Sequence, residues 1–599
     1  MCSNKLFALT VLAAGTAFAT SRTVTDGAEF AAAIAELNGS ANNEIVLAGS
    51  DFDMSEYGDN STCVKASKLT IRGAADDPRG TVVYCNGTKR IFTLSSGAKL
   101  SNLTVSNGCA TAEGGGIKVG DTASRGEHLV VTCCRSDAGG GGAYGGIWTD
   151  CIFAGNSSGA NGGGLLDGEI HGCTVSNNTA TSYGAGFSGT KAYDSAIVCN
   201  TNLNSLGGGS FRGTASNCLY FANCALVGGG AYETTFQRSQ IISNVATKIA
   251  GGLYGRTARG CRIAFNLVKG GSASDDLRGG GIADAEVYDS LIEGNAIGSG
   301  AGKNRLGGGG AATAFSNCVI RNNFIYQGAS GVYVNSGAGL NGGSAIDCVV
   351  SNNAGSATVR LASLLLGCTV VGPVDSVTSM VNSRLVDYKE STFLNPGDNV
   401  LGQGSFNYAN LISGTMACTN CLIAGNKVKG TCRFLNAPGA GKQQVFSNCT
   451  IVDNYMDNMF VNFSSGNGSA VFHNCIFSPN YLVYDVRIRR DVHFTGGSTG
   501  ISLRNCLIGS ETNRSPGKPA GGETGTVTAD DAGFDADCVS DPYSLKRRSP
   551  ARGTGEVEGW MATATDIRGG GYGRLRDGNV DIGAYQCWIY PNGLLMVVR

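Results

Sequence analysis

Few side chains in this sequence are of a type and spacing to do covalent chemistry. Asp275 and Asp276 are adjacent. Glycoside hydrolysis needs two carboxyl groups at a set separation across one site, whereas neighbours on an extended strand point to opposite faces. The four histidines, His128, His171, His473 and His493, are scattered. Cys418-x-x-Cys421 lacks the second spaced pair that a zinc site requires. No phosphate loop, nucleophile elbow or metal-ligand cluster occurs, and no calcium-binding carboxylate set with a basic partner can be assembled on one face. The sequence therefore predicts no catalytic residue, no metal and no cofactor. Binding chemistry remains. Two longer links, LVKGGSASDDLR before Gly279 and AIGSGAGKNRL before Gly307, carry Lys269, Asp275, Asp276, Arg278, Lys303 and Arg305. Exposed charged loops on a rigid scaffold are reasonable ligand sites. A second cluster within Tyr481 to Phe494 brings Tyr484, Arg487, Arg489, Arg490 and His493 together, a mixture suited to an acidic polysaccharide.

The elements that must position these residues are legible as a repeat. A polar residue, a cysteine, an apolar-centred triplet and then an asparagine five positions after the cysteine recur in phase. Copies are DCIFAGN (Cys151, Asn156), GCTVSNN (Cys173, Asn178), NCLYFAN (Cys218, Asn223), GCRIAFN (Cys261, Asn266) and NCVIRNN (Cys318, Asn323). They continue through Cys348, Cys421, Cys449 and Cys475. Serine takes the cysteine position at Ser195, Ser239 and Ser290, while Cys368 and Cys506 keep the cysteine without the asparagine. Runs of two or three glycines, such as Gly162-Gly163-Gly164 and Gly279-Gly280-Gly281, keep step. The early period is about 22 residues. A propeller blade or tetratricopeptide unit needs a longer one, and the leucine-rich L-x-x-L-x-L frame is absent. The pattern predicts an all-β, single-stranded right-handed parallel β-helix with roughly three short strands per turn, turns stacking about 4.8 Å apart. Stacked in register, the asparagines would form an amide ladder at a bend whose left-handed backbone they tolerate. The cysteines would form an inward ladder of small apolar thiols.

Charge and composition narrow the partners. Lys plus Arg (45) nearly equals Asp plus Glu (46), which gives no bulk electrostatic case for nucleic acid. Lys5, the apolar run Leu6 to Phe18 and Ala17-Phe18-Ala19 predict a secretory signal over 1–19, without the cysteine of a lipoprotein. No later stretch predicts an integral membrane segment. Secretion or a cell-surface location is the expectation. At the N-terminus Asp26 and Glu29 suit a capping box, and Phe30, Ile34 and Leu37 line one helical face over the first strands, Ile45-Val46-Leu47 and Leu69-Thr70-Ile71. The predicted organisation is 20–62 as N-terminal cap and first strands, 63–510 as β-helix and 511–599 as C-terminal cap. Cys538 and Cys587 lie outside the repeat, and a bridge between them would clip that last segment.

The short helix, the I-V-L strand and the L-T-I-x-G segment (Leu69 to Gly73) resemble bacterial pectate-lyase-like β-helix proteins. FAGN (Phe153 to Asn156) followed by GGGL resembles the repeats of polymorphic outer membrane proteins. AGF (Ala532 to Phe534), RSPARGTG (Arg548 to Gly555), TDIRG (Thr565 to Gly569), Arg574 or Arg576, and VDIGAYQ (Val580 to Gln586) resemble a choice-of-anchor segment, with Gln586 where that segment usually ends in Glu. The polygalacturonase motifs N-T-D and G-H-G are missing. The resemblance implies fold and export more than activity. The expected role is structural, adhesive or carbohydrate-binding, with an extracellular polysaccharide or cell-surface glycan as partner. The alternative is a polysaccharide lyase or glycoside hydrolase.

Overall fold

In the computed structural model, residues 20–40, 42–272, 274–299, 304–326, 337–386, 410–428, 434–436, 438–456, 461–462, 468–484, 486–489, 500–510, 522–538, 541–568 and 570–587 are described. The predicted signal, 1–19, lies outside them. The chain divides into two compact units, 1–196 and 197–599. Both are built as right-handed parallel β-helix. No described helix is long and apolar enough to cross a membrane.

The first unit opens with the strand Ser21–Val24 and the helix Gly27–Leu37. Asp26 accepts the Glu29 N–H at 2.8 Å, and Glu29 reaches back to the Thr25 N–H at 2.8 Å, one residue before the predicted reciprocal bond. The first satisfies an N–H that a helix start leaves open, and the second ties down the residue before the cap. Phe30, Ala33 and Leu37 are buried, with Phe30 edge-on to Phe52. Beneath them, the two predicted strands form as Asn43–Leu47 and Leu69–Gly73 and pair in register, with Ser21–Val24, which the sequence reading missed, stacked before them.

Each regular turn has four short strands, one more than the sequence suggests. Ala143–Tyr144, Ile147–Thr149, Ile152–Ala154 and Ser157–Ser158 stack in register on Leu165–Leu166, Glu169–His171, Thr174–Ser176 and Thr179–Ala180. The fourth strand follows the asparagine bend. Trp148, Phe153, Ile170 and Val175 fill the interior.

The asparagine ladder exists, but the asparagines are not the left-handed residues. That conformation belongs to the residue before each: Asn177 (φ 53°), Cys199 (φ 56°), Phe265 (φ 56°). The polar residue before each cysteine does the same, as at Asp150, Asn217 and Asp347. In the first unit Asn156 donates to Asn178 Oδ1 at 3.1 Å and to the Val131 carbonyl. In the second unit Asn200, Asn223, Asn244, Asn266, Asn295, Asn323 and Asn353 form one continuous stack, and Asn426, Asn454 and Asn480 another.

The cysteine ladder is buried but not merely apolar. The Cys173 N–H donates to Ser195 Oγ at 3.0 Å, and Cys261 N–H to Ser290 Oγ at 3.0 Å. The Cys318 N–H uses Cys348 Sγ at 3.4 Å in the same way. Each sulfur or hydroxyl also faces the carbonyl two residues back, as Cys261 does at Arg259. The position thus calls for a small side chain that accepts one N–H and donates one hydrogen, which cysteine and serine share. Ser383 completes the set, accepting from Cys368 N–H. We expect Cys261→Ser to change stability by less than about 1 kcal/mol and Cys261→Val to cost about 2 kcal/mol, because valine orphans the Ser239 N–H that bonds to the sulfur. Denaturant titration of the two variants checks this. Cys173, Cys218 and Cys261 are all buried, so they should react with iodoacetamide only after unfolding, and burial also pushes the Cys261 thiol up.

In the second unit the chain turns back after Val527–Thr528 along the outer face of its own turns. Leu422, Ala424, Val452, Ile476 and Leu507 point outward from their strands, and Ala532, Leu545, Ala551, Ile567, Ile582, Ala584 and Tyr585 bury them. The predicted Cys538–Cys587 bridge is absent. Cys587 lies within this apolar cluster and Cys538 in a half-exposed turn, and the two are not joined.

Candidate functional site

The two long links stack, as the repeat phase predicts. Asp276–Arg278 pairs in parallel with Asn304–Leu306, partners being Asp276 with Asn304, Leu277 with Arg305 and Arg278 with Leu306. The charges are largely spent within the protein. Asp275 meets Lys248 at 3.0 Å, which holds its carboxyl below the usual range. Asp276 accepts from Asn304 at 2.7 Å, and Arg278 lies 3.7 Å from Asp284. Arg305, expected on the exposed ridge, is only 5% exposed. Its strand partner Leu277 points into the cluster of Ala246, Val268 and Ile297, and in-register stacking sends Arg305 the same way. Burial pushes its guanidinium down. Lys303 lies outside the described residues. Of the second predicted cluster, Tyr481–Tyr484 and Val486–Arg489 form an antiparallel hairpin, while Arg490, His493 and the side chains of Tyr484, Arg487 and Arg489 fall outside what is described.

A concave site lies elsewhere, in the first unit. An open groove of about 680 Å³ runs along the bend between the first and second strands of successive turns, lined by Lys118, Asp121, Tyr144, Ile147, Asp167, Glu169 and Lys191 among others. Glycines make the groove. Gly145 (φ 68°) and Gly146 (φ 81°) take the bend in one turn, Gly168 and Gly189 in the next two. A Cβ on Gly146 would strike Trp148 and Val119 at 2.9 Å, and one on Gly189 would strike the Asp167 carboxylate at 2.1 Å. Register sets the walls. Lys118 pairs with Tyr144, its ammonium 5.6 Å from the ring centre, and Ile147, Glu169 and Lys191 stack in three consecutive turns.

The charged groups have distinct duties. Burial works against the charge on Asp121, but the Ser124 hydroxyl and the Ser124 and Ala123 N–H groups hold its carboxyl below the ordinary value. Glu169 lies between His171 (2.9 Å) and Lys191 (3.9 Å), and His171 stacks on Tyr193. Asp167 differs: burial pushes its carboxyl up. No group of three or more His, Cys, Asp or Glu able to hold a metal occurs among the described residues.

No family model matches the chain, and no curated protein matches it. Among solved structures it is similar to the pectate lyase Pel9A, at 12% identity over 95% of this chain and 97% of that one, with a TM-score of 0.21. A PL6 family alginate lyase, AlyGC, shares 9% identity over 82% of this chain and 85% of its own, with a TM-score of 0.27. A tailspike protein of E. coli bacteriophage HK620, solved with a pentasaccharide, shares 10% over 85% and 75%, with a TM-score of 0.19. Likenesses this distant leave function to the residues of the chain itself.

The groove had a signal in the sequence. Ile147, Glu169 and Lys191 are spaced by one full period and each follows a glycine or glycine-threonine bend. Reading the repeat for its outward positions, as well as for its cysteines and asparagines, brings them together.

Proposed function

We propose that this chain is an exported β-helix protein that binds an extracellular glycan along the groove at Tyr144 without cleaving it. The observation that carries the reading is the groove itself: an open, glycine-floored trough with an aromatic wall, two lysines and three carboxylates. An aromatic ring accepts the apolar face of a sugar, while mixed charged groups exchange hydrogen bonds with its hydroxyls. Export rests on the Lys5, Leu6–Phe18 and Ala17-Phe18-Ala19 pattern. The C-terminal motifs that resemble a choice-of-anchor segment suit attachment at a cell surface.

Binding is favoured over catalysis because most of the acid–base groups are engaged. Asp121 closes a local turn and Glu169 is paired. One observation favours the alternative, a glycosidase or lyase: the carboxyls of Asp167 and Asp121 are pushed in opposite directions, as an acid and a base require.

The test is calorimetric titration of the mature chain with uronic-acid and neutral oligosaccharides, with and without calcium. Tyr144→Ala and Lys191→Ala should each weaken binding by about tenfold or more, roughly 1.4 kcal/mol, while Asp276→Ala with Arg278→Ala leaves it unchanged. The opposite pattern would return the site to the ridge. Reducing ends or unsaturated uronide absorbance, lost in Asp167→Asn, would replace binding with the catalytic alternative.

A further inference from the structure

The charges of the groove at Tyr144 do not cancel. Two lysines and three carboxylates line it. Both lysines are already compensated. The Lys118 ammonium meets Glu113 at 3.2 Å, and the Lys191 ammonium lies 3.9 Å from Glu169. Asp121 and Asp167 remain. Among the described residues neither forms an ion pair, and hydrogen bonds and burial alone act on their carboxyls. Arg125, one turn before Ile147 in the same outward column, is outside the lining. With Glu113 included, two cations face four anions, so the groove is net negative. Its field favours a positively charged ligand.

The repeat sets the two aspartates on either side of the aromatic wall. Lys118, Tyr144 and Leu166 share one outward column in three successive turns. Asp121 comes three residues after Lys118, and Asp167 directly follows Leu166. One aspartate therefore stands in the turn before Tyr144 and the other in the turn after it, about 10 Å apart along the stack at ~4.8 Å per turn. A sugar ring lying on Tyr144 has an acidic residue one turn away on each side. Burial opposes the charge on Asp121, but the Ser124 hydroxyl and the Ser124 and Ala123 N–H groups outweigh it. The Asp167 carboxylate lies against the backbone at Gly189 and has burial alone acting on it, which pushes it up. A cation supplied from outside would relieve that penalty.

We propose that the groove selects a glycan carrying free amino groups, a choice of ligand class that rests on the binding reading above. One sugar lies on Tyr144 and an ammonium substituent donates to the Asp167 carboxylate, with a further ammonium along the glycan facing Asp121. Ammonium-to-carboxylate hydrogen bonds are of the charge-assisted, stronger kind. Lys118 and Lys191 are left to donate to sugar hydroxyls. A uronate has the wrong sign here: its carboxylate would compete with Glu113 or Glu169 for a lysine while facing two uncompensated aspartates. An N-acetylated sugar keeps the ring and the hydroxyls but loses the cation, so it separates stacking from charge.

The experiment titrates the full chain calorimetrically in neutral buffer at low salt. The probes are oligomers of glucosamine, of N-acetylglucosamine and of galacturonic acid, matched in length. The glucosamine oligomer should bind at least about tenfold more tightly than the N-acetylated one, as one partly screened charge pair allows. Most of that margin should vanish at high salt. Asp167→Asn, in which asparagine suits the left-handed backbone (φ 54°), should narrow the margin, whereas Tyr144→Ala should weaken both glucosamine-based oligomers. An N-acetylated or uronate oligomer that binds as tightly as the amine, with the loss in Tyr144→Ala intact, would overturn the amino-sugar class and leave glycan binding at the groove standing. Binding of none of the three, or binding indifferent to Tyr144→Ala, would remove the groove reading and the amino-sugar class with it.

Discussion

Asn266→Ala should lower the stability of the second unit by about 4 kcal/mol, a large effect for one amide. The Asn266 side chain is fully buried and makes four hydrogen bonds. Its oxygen accepts the Asn244 N–H at 2.9 Å and the Asn244 amide at 3.0 Å. Its nitrogen donates to the Ile241 carbonyl at 2.8 Å and to Asn295 Oδ1 at 2.9 Å. Alanine leaves the buried Asn244 N–H with no acceptor, at about 1–3 kcal/mol, leaves the Asn244 amide with only the Tyr220 and Ile242 carbonyls, and takes the side-chain donor from Ile241 O. It also removes the only link that makes the amides above and below polarise one another. Asn266→Asp separates geometry from chemistry. The acceptor oxygen survives, but the second oxygen must face Ile241 O and Asn295 Oδ1, both acceptors, so the group folds protonated. Its folded pKa then lies above the unfolded value of about 4. The penalty is small below that pH and grows as the pH rises through the folded value. A stacked array need not unfold in one step, so the sharper reading is hydrogen exchange at the Asn244 and Asn266 amides beside denaturant titration. An alanine variant within 1 kcal/mol of the parent, with unchanged exchange at Asn244, would show that the ladder follows the fold instead of holding it.

The repeat was legible because in-register stacking imposes one environment on every copy, so cysteine, serine and asparagine recur wherever the environment does. Legibility failed where the same logic needed one more step. Asparagine tolerates a left-handed backbone, yet Gly155, Cys199 and Phe265 carry it, because the asparagine side chain can reach its neighbours only from the following position. Ser383 was hidden by a short turn, 15 residues after Cys368. Arg305 read as a surface charge until its register with Leu277 placed it inside. The groove needed outward positions from separate turns to be read together. The C-terminal motifs were visible as residues, but what they grip, the outer face of Leu422, Val452 and Ile476, lies more than fifty residues earlier in the chain and left no local trace.

Arg574→Ala should release the C-terminal segment from that face while the turns beneath it persist. Of the two arginines that fit the motif, Arg574 is the buried one, with no exposed surface. Burial holds its guanidinium down to about 10. It donates to the Asp581 carbonyl at 2.7 Å and to the Gly583 carbonyl. With the Asn448 amide turned oxygen-first, its Nε also donates there at 3.2 Å. One planar fork thus joins the VDIGAYQ segment to a turn of the β-helix. Around it Asp581 accepts the Gly553 and Cys587 N–H groups, and Asp566, paired with Arg568, accepts the Gln586 N–H at 2.9 Å. Removing the guanidinium strands two carbonyls and an amide in a dry site and leaves a cavity, at about 3–5 kcal/mol. Arg574→Lys should recover little, since a point charge cannot serve three acceptors in a plane. The loss is local because the turn-to-turn pairing of Leu422–Ala424 with Thr450–Val452 does not involve the segment. Far-UV circular dichroism should therefore change little, while trypsin gains rapid cleavage after the exposed Arg547 and Arg548. A hydrophobic dye should bind the uncovered Leu422, Val452, Ile476 and Leu507. Unchanged protease resistance in both variants would mean that apolar contact alone holds the segment. A collapse of the far-UV signal would mean that the segment supports the turns it covers.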